Sequence, residues 1–107
     1  MTRKKILIVE DEVVIRSSLK KFLEKKNYKV CEAGSVEEAV KQDLSRFSLI
    51  ITDLRLPGPP GTNIIRLVPN IPVLVMTSYA SLKSAVETMK LGAMDYIAKP
   101  FDFEDLL

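Results

Sequence analysis

The chain has 107 residues, 47% of them apolar and 28% charged, with a formal net charge of +2 from 16 basic and 14 acidic side chains. That is room for one domain with a real core, too apolar for a disordered segment, and too weakly basic to argue for a nucleic-acid surface. With one cysteine, Cys31, and no histidine, an internal disulfide and the usual Cys/His zinc sites are excluded, so any metal must be a hard cation held by oxygen.

The amino-terminal Met1-Thr2-Arg3-Lys4-Lys5 leads into only four apolar residues before Glu10, too few for a signal-peptide core or a membrane span. A cytoplasmic, reducing location is the expectation. Those four, Ile6-Leu7-Ile8-Val9, are continuously apolar and β-branched-rich, the pattern of a parallel strand buried on both faces. From Val13 to about Lys26, Ile15, Leu19, Phe22 and Leu23 recur at helical spacing with lysines opposite. Lys29 to Ala33 reads as a second strand, placing Cys31 as a small half-buried residue. Ser35-Val36-Glu37-Glu38 is a capping-box pattern opening a helix that carries Ala39, Val40 and Leu44.

A third strand is expected over Leu49 to Leu54, then a loop, Leu56-Pro57-Gly58-Pro59-Pro60-Gly61, whose prolines and glycines forbid regular structure. Pro69 and Pro72 limit the next helix to about two turns, Asn63 to Val68. Val73 to Met76 is a fourth strand. Ser81 caps a helix with Leu82, Ala85, Val86 and Met89 on one face and Gly92 ending it. Tyr96 to Ala98 makes a fifth strand, and Phe103 to Leu107 looks like the first turn of another helix. Such a short helix is marginal, so the chain is expected to be the amino-terminal part of a longer polypeptide.

Chemistry gathers at the strand ends: Glu10-Asp11, Asp53, Thr77-Ser78 and Lys99-Pro100. In an open parallel α/β sheet those ends converge on one crevice, which would then hold carboxylates, a hydroxyl and an ammonium. Taken alone, Glu10-Asp11-Glu12 also reads as a helix start favouring negative charge, Lys99 as a surface lysine, and Tyr96 as an ordinary half-buried strand tyrosine.

The ordered set Val9-Glu10-Asp11-Glu12, Thr52-Asp53-Leu54 with Pro57-Gly58, Met76-Thr77-Ser78, and Gly92 through Phe101 with Lys99-Pro100 resembles the receiver domain of two-component response regulators across essentially the whole chain. Ala85 through Ala93 with Asp95-Tyr96 is most similar to the NtrC-type transcription activators. The resemblance implies a flavodoxin-like, doubly wound, five-stranded parallel sheet of order 2-1-3-4-5 with helices on both faces, here with a shortened helix 3 and a truncated helix 5.

It also implies a signalling phosphoacceptor rather than an enzyme. Asp53 would accept a phosphoryl group from a sensor histidine kinase, with transcription as the output. Magnesium would sit on Asp11, Asp53, the Arg55 backbone carbonyl and, through water, Glu10. Such an ion would keep three crowded carboxylates charged. Thr77 and Lys99 would hold the phosphoryl group and Tyr96 would report it on the helix 4, strand 5 and helix 5 surface, a possible homodimer face. Arg55 and Tyr79 would tune the phosphate lifetime, and the Lys99-Pro100 bond would be cis. No nucleic acid or membrane is expected to touch this domain.

Three departures from the family pattern stand out. Glu10 replaces the more usual aspartate, the Gly61 to Pro72 segment is several residues short, and Pro59-Pro60 stiffens the loop beside Asp53. A magnesium-dependent phosphohydrolase with Asp53 as covalent nucleophile is an alternative, although Arg55 stands where its general acid belongs. A vestigial receiver acting only as an interaction domain is another.

Overall fold

A computed structural model describes residues 4–106; Met1 to Arg3 and Leu107, the last residue of the expected terminal helical turn, lie outside them. Strands β1 (Lys5–Val9), β2 (Lys29–Ala33), β3 (Leu49–Asp53), β4 (Val73–Thr77) and β5 (Asp95–Ala98) form one sheet of order β2-β1-β3-β4-β5. Every pairing is parallel. Helices α1 (Val13–Lys25), α2 (Val36–Ala39), α3 (Thr62–Leu67) and α4 (Leu82–Lys90) alternate with the strands, and short 3-10 turns lie at Leu44–Arg46 and Phe103–Leu106. The expected doubly wound fold is the one formed.

Side chains alternate across a strand, and here both alternating sets are apolar. Leu7, Val9, Ile50, Val73 and Val75 face one layer, with Val36 and Ala39 of α2 and Ile64 and Ile65 of α3. Ile6, Ile8, Ile51, Leu74 and Met76 face the other, against Leu19 and Leu23 of α1 and against Phe101, Phe103 and Leu106. Burying each such side chain contributes roughly 1.5–3 kcal/mol. A one-residue register slip would exchange the two cores, so the register, for example Ile6 opposite Leu49 and Ile51 opposite Leu74, is strongly specified. The sheet edges are β2 and β5. On β2 the outward Glu32 carbonyl accepts a hydrogen bond from Gln42 Nε2 at 3.1 Å, and β5 has only four residues before Lys99-Pro100.

Local signals explain where elements stop. Asn27 adopts a left-handed φ of 72° just after α1, a conformation asparagine tolerates better than most residues. Gly92 does the same after α4 with φ 108°, as its position predicts. Ser81 caps α4 by accepting the Ser84 N–H at 3.0 Å, and Ser35 caps α2 by accepting the Glu38 N–H at 3.1 Å.

One helical expectation needs correction, and one helix carries a feature that spacing does not give. The second helix ends at Ala39 instead of reaching Leu44. Asp43 accepts from both the Ser45 N–H (3.2 Å) and the Ser45 hydroxyl (2.6 Å), and this local bonding competes with helix propagation, so Leu44 enters a separate 3-10 turn. The apolar face expected on α4 exists but is not buried: Leu82 is 82% exposed, Val86 43% and Met89 45%, while Thr88 is the buried residue. Helix α4 packs on β5, the outermost strand, so little of its circumference is covered.

The short α3 leaves less core open than its length suggests, since Ile64, Ile65 and Val68 are buried and only Leu67 is turned outward. Strand ends differ from expectation by one residue: β1 and β5 start earlier, β3 stops at Asp53, and β4 includes Thr77. Among the described residues no helix is long and apolar enough to cross a membrane.

Candidate functional site

The ends of β1, β3 and β5 bring Glu10, Asp53 and Lys99 into direct contact. Lys99 Nζ lies 2.5 Å from Glu10 Oε1 and 2.7 Å from Asp53 Oδ2. All three side chains are buried, Lys99 being 7% exposed and Glu10 0%. Asp11 stands at the exposed rim, and carboxylate oxygens of Glu10, Asp11 and Asp53 lie within 4.8 Å of one another. Clustered oxygen donors without sulfur or imidazole suit a hard divalent cation. The peptide bond Lys99-Pro100 is cis.

The backbone is tied to the same groups. Asp53 Oδ1 accepts the Arg55 N–H at 3.3 Å, and Glu10 Oε2 accepts the Glu12 N–H at 3.3 Å just before α1. Glu10 thus bonds the backbone just ahead of α1 with one oxygen and Lys99 with the other, while α1 itself has no acidic residue in its first turn and no side-chain cap. Thr52 Oγ1 donates to the Asp53 carbonyl at 3.0 Å, and Gly61 lies directly against that carbonyl. Spacing marks Gly61 only as loop punctuation, and Thr52 only as a member of the Thr52-Asp53-Leu54 motif with no role of its own. Arg16 was likewise read only as part of a helix. Its Nη1 donates to the Glu10 carbonyl at 2.9 Å, a role to which its place on the turn after the acidic pair was the sole clue.

The remaining predicted side chains make their bonds outside the Glu10, Asp53 and Lys99 contact. Thr77 is buried at the end of β4, its hydroxyl accepting the Tyr79 N–H at 3.0 Å. The Arg55 guanidinium stacks on the Tyr79 ring, 4.2 Å from its centroid, joining the loops that follow β3 and β4. Tyr96 is half-buried on β5, and its hydroxyl bonds Ser84 Oγ of α4 at 3.0 Å. A polar link thus runs from β5 into the helix whose apolar face is exposed. A groove of about 460 Å³ adjoins Lys99, lined by Glu12, Val14, Ile15, Ser18, Pro100 and Phe103 among others.

Burial pushes the Glu10 carboxyl up from 4.5 to about 7; the Lys99 bond opposes this and the Asp53 charge adds to it. For Lys99, burial favours the neutral amine, but the bonds to Asp53 and Glu10 outweigh it and hold the pKa above the ordinary lysine value. A carboxyl whose proton is held more tightly in the folded state stabilises folding at low pH and loses that advantage as pH rises. In chelator-treated protein we therefore expect thermal stability to fall between pH 4.5 and about 7, and Glu10→Gln to flatten that slope. Melts across this range check it, and an unchanged slope in the variant would assign the titration elsewhere.

A family model described as the response regulator receiver domain matches residues 6–107. The transcriptional regulatory protein ZraR of Escherichia coli O157:H7 is 39% identical over 106 residues, covering 94% of this chain and 24% of that protein. The chain thus spans about a quarter of such a relative. Among solved structures, a Burkholderia pseudomallei response regulator with a phosphorylated aspartic acid, a calcium ion and citrate superposes with TM-score 0.85 at 34% identity, over 96% of this chain and 64% of that one. The beryllofluoride-activated NtrC4 receiver domain dimer superposes with TM-score 0.87 at 34% identity, over 94% and 88% of the two chains.

Proposed function

The chain belongs to the response regulator receiver family of two-component signalling proteins, and on that premise we propose that Asp53 takes a phosphoryl group from the phosphohistidine of a sensor kinase, assisted by magnesium. The observation that carries this is the buried Lys99 ammonium bridging Glu10 and Asp53 beside a third carboxylate, Asp11. A carboxylate oxygen of Asp53 attacks phosphorus, the P–N bond to the donor imidazole breaks, and the imidazole nitrogen keeps the electron pair and takes a proton. The product is an acyl phosphate on Asp53.

Asp11 and Asp53, with Glu10 through water and the Arg55 carbonyl, would hold the cation, which supplies charge neutralisation for the phosphoryl oxygens. Lys99 neutralises one more oxygen as a point charge. Thr77 turns its hydroxyl from the Tyr79 N–H toward the new group, carrying the loop after β4 with it. Because Tyr96 is bonded to Ser84 of α4, that movement reaches the exposed face bearing Leu82, Val86 and Met89. A face of this kind suits a second copy of the domain, in keeping with the dimer described for NtrC4. The chain then acts in the cytoplasm as the amino-terminal receiver of a longer transcription regulator, a reading supported by the length of ZraR.

Incubation with magnesium and a small phosphodonor, followed by intact-mass measurement, tests the proposal. One stable phosphoryl addition supports it. Continuous turnover of phosphomonoesters would favour a phosphohydrolase, and no addition a vestigial site.

The Arg55–Tyr79 stack joins the loops that follow β3 and β4, and in this reading it restricts water reaching the acyl phosphate. A cation–π contact at an exposed site contributes about 0.5–1 kcal/mol, so Arg55→Ala with Tyr79→Ala should speed phosphate release about two- to fivefold. Release rates unchanged from the parent would remove the lid.

A further inference from the structure

We propose that Arg16, on α1, is a positioning residue for the cation site, acting through the backbone of Glu10. The inference rests on the reading of Glu10, Asp11 and Asp53 as that site and adds a residue that holds it in shape. Glu10 is pinned on nearly every polar atom. Its N–H donates to the Ala33 carbonyl at 3.0 Å, and its carboxylate takes Lys99 and the Glu12 N–H. The carbonyl lies beyond the paired end of β1, where no strand donor meets it. Arg16 Nη1 does, at 2.9 Å. A buried carbonyl left without a donor is costly, so this bond fixes the plane of the Glu10–Asp11 peptide. That plane sets where the Asp11 carboxylate is offered relative to Asp53.

The guanidinium is itself held from outside the site. Its Nε lies 3.4 Å from Glu32 Oε1, an ion-pair approach without hydrogen-bond geometry, and Lys20 Nζ lies 3.6 Å from the other oxygen, Glu32 Oε2. The bare α-carbon of Gly34 makes room, since a Cβ there would stand 3.3 Å from Arg16 Nη1. Glu32 offsets the positive charge of Arg16, which leaves geometry rather than field as its contribution to the acidic cluster. Removing the group that orients a metal ligand commonly weakens metal affinity ten- to a hundredfold.

The test is Mn2+ binding to the unphosphorylated protein, followed by electron paramagnetic resonance of the free ion, with melting temperature measured alongside. Arg16→Ala should weaken binding about tenfold or more. Arg16→Lys, which keeps a donor for the carbonyl and conserves the fold, should recover part of the loss, and Lys20→Ala should bind like the parent. If both Arg16 variants bind within about twofold of the parent, or Lys20→Ala loses as much as Arg16→Ala, the positioning role is overturned. Failure of the parent to bind Mn2+ would instead overturn the cation site itself.

Discussion

Asp53→Asn should leave the protein folded and abolish phosphoryl addition by any donor. The side chain is 9% exposed, and the amide matches the carboxylate in shape, so its oxygen can still accept from Lys99 or from the Arg55 N–H. An amide is no nucleophile toward phosphorus, however, and the variant also removes one of three negative charges packed within 4.8 Å. Because crowded like charges oppose folding, the melting temperature in chelator should stay level or rise. Loss of phosphorylation together with retained stability separates a chemical role from a structural one. Residual phosphoryl addition would move the acceptor to another residue, with Asp11 the first to be tried.

Gly61→Ala is the second large effect, and it arises from space. The φ of Gly61 is −59°, which any residue can adopt. A methyl group there would stand 1.9 Å from the Asp53 carbonyl oxygen and 2.6 Å from Thr52 Oγ1. Neither neighbour can yield easily: the carbonyl belongs to the end of β3 and already accepts from the Thr52 hydroxyl. Overpacking of this kind costs about 1–3 kcal/mol, a melting temperature lowered by roughly 4–20 °C in a domain of this size. The strain falls on the backbone of the proposed acceptor, so phosphorylation should slow by more than the unfolded fraction explains. A melt within two or three degrees of the parent, with normal phosphorylation, would show that the loop can withdraw.

Much of the fold was legible because two periodicities point the same way. Continuous apolar strands call for a sheet covered on both faces, and Leu19 and Leu23 at helical spacing supply one of the covers. Glu10, Asp11, Asp53 and Lys99 were legible as strand ends, which topology alone brings together. What escaped was backbone accounting. No pattern announces that the Glu10 carbonyl needs Arg16, or that the Asp53 carbonyl leaves no room for a side chain at residue 61, because both depend on distances between segments remote in sequence. The early end of α2 escaped for a local reason, Asp43 bonding Ser45 in place of the helix. The exposure of the α4 face escaped because hydrophobic spacing says which residues share a side and not whether anything lies against it.

The two edges of the sheet set how copies of this domain can associate. Unpaired strand edges are templates for cross-chain β pairing and aggregation. On β2 the Gln42 side chain already occupies the Glu32 carbonyl, while β5 is four residues long and runs straight into a proline that has no N–H to give. Both routes to a continuous intermolecular sheet are thereby blunted. The proposed dimer would then rest on side-chain contacts such as the exposed face of α4, which can come apart as readily as they form, a reversibility that a switch needs and an extended β-ribbon would deny it.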